Sequence, residues 1–195
     1  MLSCGNQQRA QKYEQMVDSI RKAEQVRQME RQAGASDSPL TSYFDTLRYH
    51  SLPIQSGDDP SLLVRQCEKS LPSFSLLLGF DPSDEVSVLR LPRSGRFNVC
   101  LAFHKGADGY PVAYMFTLSS SLRVVDMLCV CERKAIERVN DSGETVPEFF
   151  ITSNYEITIV ERFKSVGGKC DEIFQMHRHA ISSEGRFVQV DNPAS

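Results

Sequence analysis

The chain contains no tryptophan, no long apolar run and none of the short motifs that mark common enzyme sites. No stretch of about 18 apolar residues is present, so we expect no helix that spans a bilayer. The patterns GxSxG, GxxxxGKS/T, GxGxxG and HExxH are missing, which removes the usual hydrolase, phosphate-binding, dinucleotide-binding and zinc-protease signatures. The net charge is −3 over 195 residues, without the basic excess that nucleic-acid binders usually show, so nucleic-acid binding is not expected.

The composition is that of a chain that folds, with 41% apolar and 24% charged residues. A chain of this length can form a core without disulfides, so its cysteines are interpreted mostly as small buried apolar residues, with disulfides as the alternative. CVC places two of them on one face of a strand, too far apart for a relaxed disulfide. The six cysteines are Cys4, Cys67, Cys100, Cys129, Cys131 and Cys170.

Residues 6–33 contain no proline or glycine and are rich in Gln, Glu, Arg and Lys, which predicts a helix. One narrow apolar stripe recurs at steps of three and four residues, formed by Tyr13, Met16, Ile20, Ala23, Val26 and Met29. Such a helix can pack on the domain, act as a tether or pair with another helix, and we favour the first two. The break GASDSP then predicts two parts, a stub and tether over 1–36 and one α+β domain over 37–195.

Six of the nine prolines lie between Pro39 and Pro92, which predicts short helices and turns in that region. One helix is expected to begin at Pro39, and another at Asp59-Pro60, running through SLLVRQCEKSL to about Leu71.

After Asp84 the apolar pattern changes to strand alternation. The strands are VSVLRL, FNVCLAFH, YPVAYMFTL, LRVVDMLCVCE, FFITS, YEITIVERF, DEIFQMHRHAI and RFVQV, while ERKAIERVNDSGE is either a helical turn or a ribbon. Their short connections predict an antiparallel meander of about eight strands, whether barrel, sandwich or propeller-like. The large residues Tyr114, Phe116 and Leu118 are expected to continue the face of Val99, Leu101 and Phe103.

The segment MHRHA holds the only histidine pair with a spacing that suggests metal binding. His177 and His179 are two residues apart on a predicted strand, so both imidazoles leave the same face. A zinc site needs at least one more ligand, for which His104 is the candidate. A solvated strand face is the simpler interpretation, and no cofactor is expected.

The stretch LSCGN places a cysteine after small and apolar residues and ahead of an open polar segment. This is the arrangement in which bacterial lipoproteins carry lipid on the cysteine, and two or more acyl chains give a hold on a membrane that one chain does not. A lipoprotein signal also needs a charged start and an apolar stretch before that cysteine, but only Met1, Leu2 and Ser3 precede it. We therefore expect either a signal upstream of residue 1, with lipid on Cys4, or a cytosolic protein.

Three stretches resemble a group of small bacterial lipoproteins of gut anaerobes to which no activity is assigned. They are SYFDTLRYHSLPI, then GYPVAYMFTLSSSLRVVDMLCV, then FFITSNYEITIVERF followed by EIFQMHRHAISSEGRFVQV, and together they cover about residues 40–190. The resemblance implies export and a lipid on Cys4, and it implies no catalytic residue.

These observations predict a non-catalytic lipoprotein of the cell envelope, tethered to a membrane through Cys4 and presenting a β-rich domain to an unknown protein or small-molecule ligand. Two alternatives stay open. One is a metal-dependent enzyme with a site at His177 and His179. The other is a soluble interaction domain that pairs through its N-terminal helix, and the protein is cytoplasmic if Cys4 carries no lipid.

Overall fold

The computed structural model describes residues 39–57, 59–81, 83–138, 141–166 and 171–190. Within these ranges it contains three short helices, α1 (Pro39–Thr46), α2 (Ser61–Val64) and α3 (Pro72–Leu78). Eleven strands accompany them: β1 (Ile54–Gln55), β2 (Glu68–Lys69), β3 (Ser87–Ser94), β4 (Phe97–Lys105), β5 (Pro111–Leu118), β6 (Val124–Cys131), β7 (Lys134–Arg138), β8 (Asp141–Ile151), β9 (Glu156–Ser165), β10 (Asp171–Ile181) and β11 (Phe187–Gln189).

The strands form two open antiparallel sheets. One has five strands in the order β2-β3-β4-β5-β6, and the other has six, in the order β1-β8-β9-β10-β11 with β7 also pairing with β8. Each order largely follows the chain because short connections make consecutive strands pair as hairpins. The predicted antiparallel α+β architecture is confirmed in outline. Its strands, however, are shared between two sheets, and ERKAIERVNDSGE belongs to a ribbon formed by β7 and the start of β8.

The main core lies between the two sheets, whose inner faces pack against each other. Buried aliphatic and aromatic side chains from both sheets form one cluster, which includes Leu89, Val99, Leu101, Phe103 and Met115 on one side and Phe149, Ile151, Ile157 and Ile159 on the other. The Tyr155 hydroxyl also donates a hydrogen bond to the Pro92 carbonyl, linking the β8–β9 turn to β3. The arrangement is a sandwich in which residues along a strand alternate between the inner and outer faces, except at β-bulges.

The outer face of the five-stranded sheet is covered by α1 and α3. Phe74 of α3 is fully buried and its ring lies 5.9 Å from that of Phe44 in α1. Arg90 of β3 fixes the end of α1, because its Nη1 donates to the Asp45 carbonyl at 3.0 Å and its Nη2 lies 3.0 Å from the Asp45 carboxylate. The second core cluster therefore joins these helices to Val88, Cys100, Ala102, Phe116 and Leu118.

The β10–β11 hairpin is attached to the five-stranded sheet at its turn. Thr117 donates its hydroxyl to the Gly185 carbonyl, and the Phe187 N–H donates to Asp126 Oδ2 at 2.8 Å. Gly185 has φ +79°, and a Cβ built there would lie 2.8 Å from the Phe97 ring. Only glycine fits this close approach without strain.

The prediction that the large residues of β5 share a face with Val99, Leu101 and Phe103 of β4 is wrong. Phe116 lies opposite Cys100 and Met115 lies opposite Leu101. Opposed residues share a face, so the large residues of β5 lie under the helices and Met115 lies in the inter-sheet core. A one-residue change of register exchanges the two faces, and alternation within each strand does not fix that register.

The prediction that Cys129 and Cys131 share a face is also wrong. Cys131 lies opposite Ala113 while Cys129 lies opposite Tyr114, with a register shift between them. This β-bulge turns Cys131 into the inter-sheet core beside Val130 and leaves Cys129 on the helix-covered side. The four described cysteines, which include Cys67 and Cys100, are free and at least half-buried, as the sequence predicts.

The predicted helix after Asp59-Pro60 begins where expected but is much shorter. The Ser61 N–H binds Asp59 Oδ1 at 2.9 Å, and α2 ends at Val64. Glu68 and Lys69 then form β2 against β3, because tertiary pairing overrides the local helix preference. The predicted tether over 1–36, including the helix at 6–33, lies outside the described residues.

Candidate functional site

The outer face of the six-stranded sheet carries large apolar side chains that the described part of the chain leaves exposed. We call this surface the open face. The exposed fractions are 39% for Phe150, 56% for Ile173, 44% for Met176 and 44% for Val188. They come from three strands, with Val160 of β9, which is half-buried, between them. Exposed apolar side chains that share one face of a sheet are typical of interaction surfaces.

Strand register defines which residues belong to the open face. Ile157 and Ile159 of β9 point into the core, so Thr158 and Val160 point outward. Met176 lies opposite Val160, and Val188 lies opposite Ala180 of β10. These pairs therefore share the outward direction.

A β-bulge changes the alternation of β10. Ile173 lies opposite Arg162 and Gln175 lies opposite Glu161, so one extra residue occupies the bulge between them. As a result Ile173 and Met176, three residues apart, both point to the open face. Asp171 and Arg178 lie opposite Lys164 and Thr158 and share that direction. Glu172, Gln175 and His177 point inward.

Charged side chains surround the apolar centre. Arg162 Nε lies 3.3 Å from Asp171 Oδ1 and 3.7 Å from Glu148 Oε1, so it bridges β8 and β10. Arg178 lies next to Met176 on the same face of β10. An apolar centre with a rim of mixed charge is the usual anatomy of a protein–protein contact.

Within the described residues, β11 covers one end of β10. β11 pairs with residues 179–181, and the Val190 N–H donates to the Arg178 carbonyl at 2.8 Å. Positions 171–177 pair on the other side of β10 with β9.

The predicted metal-site residues divide between two places. His177 and His179 point to the inner face of the six-stranded sheet, with ring centroids 6.4 Å apart. His104 lies on the helix-covered face of the other sheet, 5.3 Å from the Phe80 ring and stacked on Tyr114 at 5.9 Å. Across the described ranges no group of three or more His, Cys, Asp or Glu side chains is placed to hold a metal ion.

Burial also affects the chemistry of His179. Burial first, and the nearby His177 second, lower the pKa of His179 below its ordinary value. Both effects favour the neutral imidazole.

One polar contact that the sequence does not indicate lies at the corner between β6 and β7. The Arg133 guanidinium lies over the Tyr110 ring at 3.6 Å, and Arg133 Nη1 lies 3.3 Å from Glu144 Oε1. Burial raises the pKa of Tyr110 to about 12. Tyr110 comes from the β4–β5 hairpin, so this cation–π pair links the two sheets where the chain passes from one to the other.

Cys4, the predicted lipid site, lies outside the described residues. No helix in the described ranges is both long and apolar enough to cross a membrane. No protein-family model, curated protein or solved structure matches the chain.

Proposed function

We propose that this protein is a non-catalytic, lipid-anchored binding module of the cell envelope. Cys4 carries the lipid, residues 1–36 form the tether, and the open face of the six-stranded sheet binds the partner. The observation that carries the proposal is the exposure of large apolar side chains on one outer face of a sandwich whose other outer face is covered by helices.

The open face suits a macromolecular partner better than a small polar one. Phe150, Ile173, Met176 and Val188 spread over three strands of a sheet, whereas small-molecule sites are usually concave clefts. The ion pairs of Arg162 at the rim supply polar contacts around this apolar centre. Burying these side chains against a partner removes apolar area from water, which is the main favourable contribution to association.

The tether supports the membrane part of the proposal. LSCGN is followed by a polar segment with no glycine or proline from residue 6 to residue 33. A spacer of this length separates a folded domain from a lipid at its start. Thioether and amide-linked acyl chains on one cysteine together give stable anchoring.

The lipid is tested by mass spectrometry of protein isolated from its source cells and by partition into a detergent phase. We expect a mature chain that begins at Cys4 with attached acyl chains, and partition into detergent. Cys4→Ser is the matched control and is expected to stay in the aqueous phase. An unmodified Cys4 thiol in a chain that retains Met1 would contradict the proposal.

A further inference from the structure

We infer that His177 and His179 form a two-imidazole binding site for a divalent first-row metal ion, with Cu²⁺ as the most tightly bound ion. The site lies on the inner face of the six-stranded sheet, whereas the proposed function places the partner on the open face. It therefore goes beyond that function, and it requires neither a lipid on Cys4 nor a catalytic step.

The first observation is that the two imidazoles lie side by side on one face of β10. His177 lies opposite Ile159 and His179 lies opposite Ile157, and both isoleucines belong to the inter-sheet core. Opposed residues share a face, so both histidines point inward. The register with β9 continues without a shift over residues 175–180, which fixes the two side chains in adjacent positions on that face.

The distance between the rings is compatible with one shared ion. A ring nitrogen binds Cu²⁺ or Zn²⁺ at about 2.0–2.1 Å, which places the ion about 3.2 Å from the ring centroid. Two rings that share an ion therefore have centroids up to about 6.4 Å apart, with the linear arrangement as the limit. The observed 6.4 Å lies at that limit. Rotation about the broad χ2 torsion of histidine brings the nitrogens to the shorter spacing of a bent arrangement.

The second observation is that, within the described part of the chain, the ring nitrogens of this pair form no hydrogen bond. His50 shows the alternative, because its Nδ1 lies 2.8 Å from the Ser51 carbonyl and its Nε2 lies 3.0 Å from Gln66 Oε1. A neutral imidazole has one nitrogen with an available lone pair, and this is the atom that binds a metal. The pair therefore offers two nitrogen ligands that no described group occupies.

The third observation is that these nitrogens are accessible from solvent. Over the described ranges, the buried side-chain nitrogen and oxygen atoms that lack a hydrogen bond are Tyr110 Oη and Arg133 Nε, and neither histidine contributes one. Both histidines are half-buried rather than enclosed. A metal ion can therefore reach the pair from water without any opening of the core.

The polar neighbours of the pair on this face are two amides. Gln175 precedes the pair by two residues on β10, and Gln189 of β11 lies opposite its second member. Their oxygens can accept a hydrogen bond from a water on the ion. Glu161 lies opposite Gln175, and its carboxylate is 3.6 Å from Lys134 Nζ. Because no group of three His, Cys, Asp or Glu ligands is placed within the described ranges, water fills the other positions on the ion.

This ligand set favours Cu²⁺. Structural zinc sites take four protein ligands, and two imidazoles with open positions do not supply them. Nitrogen and oxygen ligands in a tetragonal arrangement suit Cu²⁺, and the affinity of such sites rises along the first row to Cu²⁺ and falls again at Zn²⁺. We therefore expect Cu²⁺ to bind at least about tenfold more tightly than Ni²⁺ or Zn²⁺.

The test is a calorimetric titration of the full chain with Cu²⁺ at pH 7.5, in a Cys4→Ser and Cys170→Ser background that removes two thiols as competing ligands. We expect one Cu²⁺ per chain. His177→Gln and His179→Gln should each weaken binding at least about 30-fold, because a site with one imidazole loses the advantage of two linked ligands. His50→Gln is the matched control and should leave binding unchanged, since both ring nitrogens of His50 are already hydrogen-bonded.

Two further measurements identify the ligands. Electron paramagnetic resonance of the Cu²⁺ complex should show coupling to two imidazole nitrogens in the parent protein and to one in either single variant. Saturating Cu²⁺ should raise the unfolding midpoint of the parent protein but not that of the double variant, because an ion that binds the native state stabilises it. Circular dichroism confirms that each variant is folded.

Three results would overturn the inference. They are a lack of Cu²⁺ binding at 100 µM, binding that both single variants leave intact, and binding that His50→Gln weakens as much as the variants of the pair do. Tighter binding of Zn²⁺ than of Cu²⁺ would overturn the choice of ion.

Discussion

The two outer faces of the sandwich differ in what covers them. On the five-stranded sheet, Val88, Cys100 and Phe116 are completely buried under α1 and α3. On the six-stranded sheet, Val188, Met176 and Phe150 occupy equivalent outward positions and are 39–44% exposed. The same residue types therefore stabilise the fold on one side and are available for binding on the other, depending only on what packs against them.

The largest difference between the faces is expected from truncating an aromatic side chain on each. Phe74→Ala should lower the free energy of unfolding by about 3–5 kcal/mol, because it leaves a cavity between α3, α1 and the sheet. Phe150→Ala on the open face should cost about 1 kcal/mol or less. Urea unfolding of both variants measures this, and equal losses would mean that the two faces are equally buried.

The attachment of the β10–β11 hairpin is expected to be the next most sensitive point. Gly185→Ala should cost about 2–4 kcal/mol, because the new Cβ meets the Phe97 ring at a positive φ. Gly95→Ala is the control, since Gly95 has φ +56° but nothing within 4 Å of a Cβ. It should cost about 1–2 kcal/mol, from backbone strain alone. A smaller loss at Gly185 than at Gly95 would contradict the tight contact.

Thiol reactivity should follow burial: Cys67 packs against the inter-sheet core, whereas Cys100 lies under the helices. Burial raises the pKa of Cys67 to about 12 and that of Cys129 to about 11, and raises that of Cys100 further. Native protein at pH 8 should therefore alkylate at these sites at least about two orders of magnitude more slowly than an exposed thiol. Site-resolved mass spectrometry should show Cys129, on the edge strand β6, reacting before Cys100. The reverse order would mean that α1 and α3 do not stay on the sheet.

The smallest expected effect concerns pH. The pKa of His179 is lowered in the folded state, so the unfolded state binds more protons as the pH falls below about 6.5. The stability that His179 contributes is present above that pH and is lost as the pH falls through the lowered pKa. Urea midpoints between pH 7.5 and 5 should decrease less in His179→Gln than in the native chain. Parallel curves for the two proteins would show that His179 is not responsible.

The sequence predicts the strands well because their alternation is a local property. FNVCLAFH and YPVAYMFTL correspond to β4 and β5 within about two residues. The division into two sheets is not local, because the connection at Glu132 and Arg133 is as short as a hairpin turn. The chain leaves the first sheet there: Arg133 contacts Tyr110, and β7 pairs with β8 of the second sheet. The two-residue strands β1 and β2 depend entirely on partners distant in the chain.

The open face could not be predicted from the sequence for a related reason. Two bulges, near Cys129 and at Phe174, change the face of every residue beyond them. Strict alternation would separate Ile173 from Met176, whereas the bulge brings both to the open face.

The most direct test of this account compares one lysine substitution on each outer face. Val88 and Val188 are both mid-strand valines, 0% and 44% exposed. Val88→Lys should prevent folding or cost more than about 4 kcal/mol, because it buries an unpaired charge under the helices, whereas Val188→Lys should change the free energy of unfolding by less than about 1 kcal/mol. A Val188→Lys protein as unstable as Val88→Lys would show that the open face is covered, and would contradict the central claim.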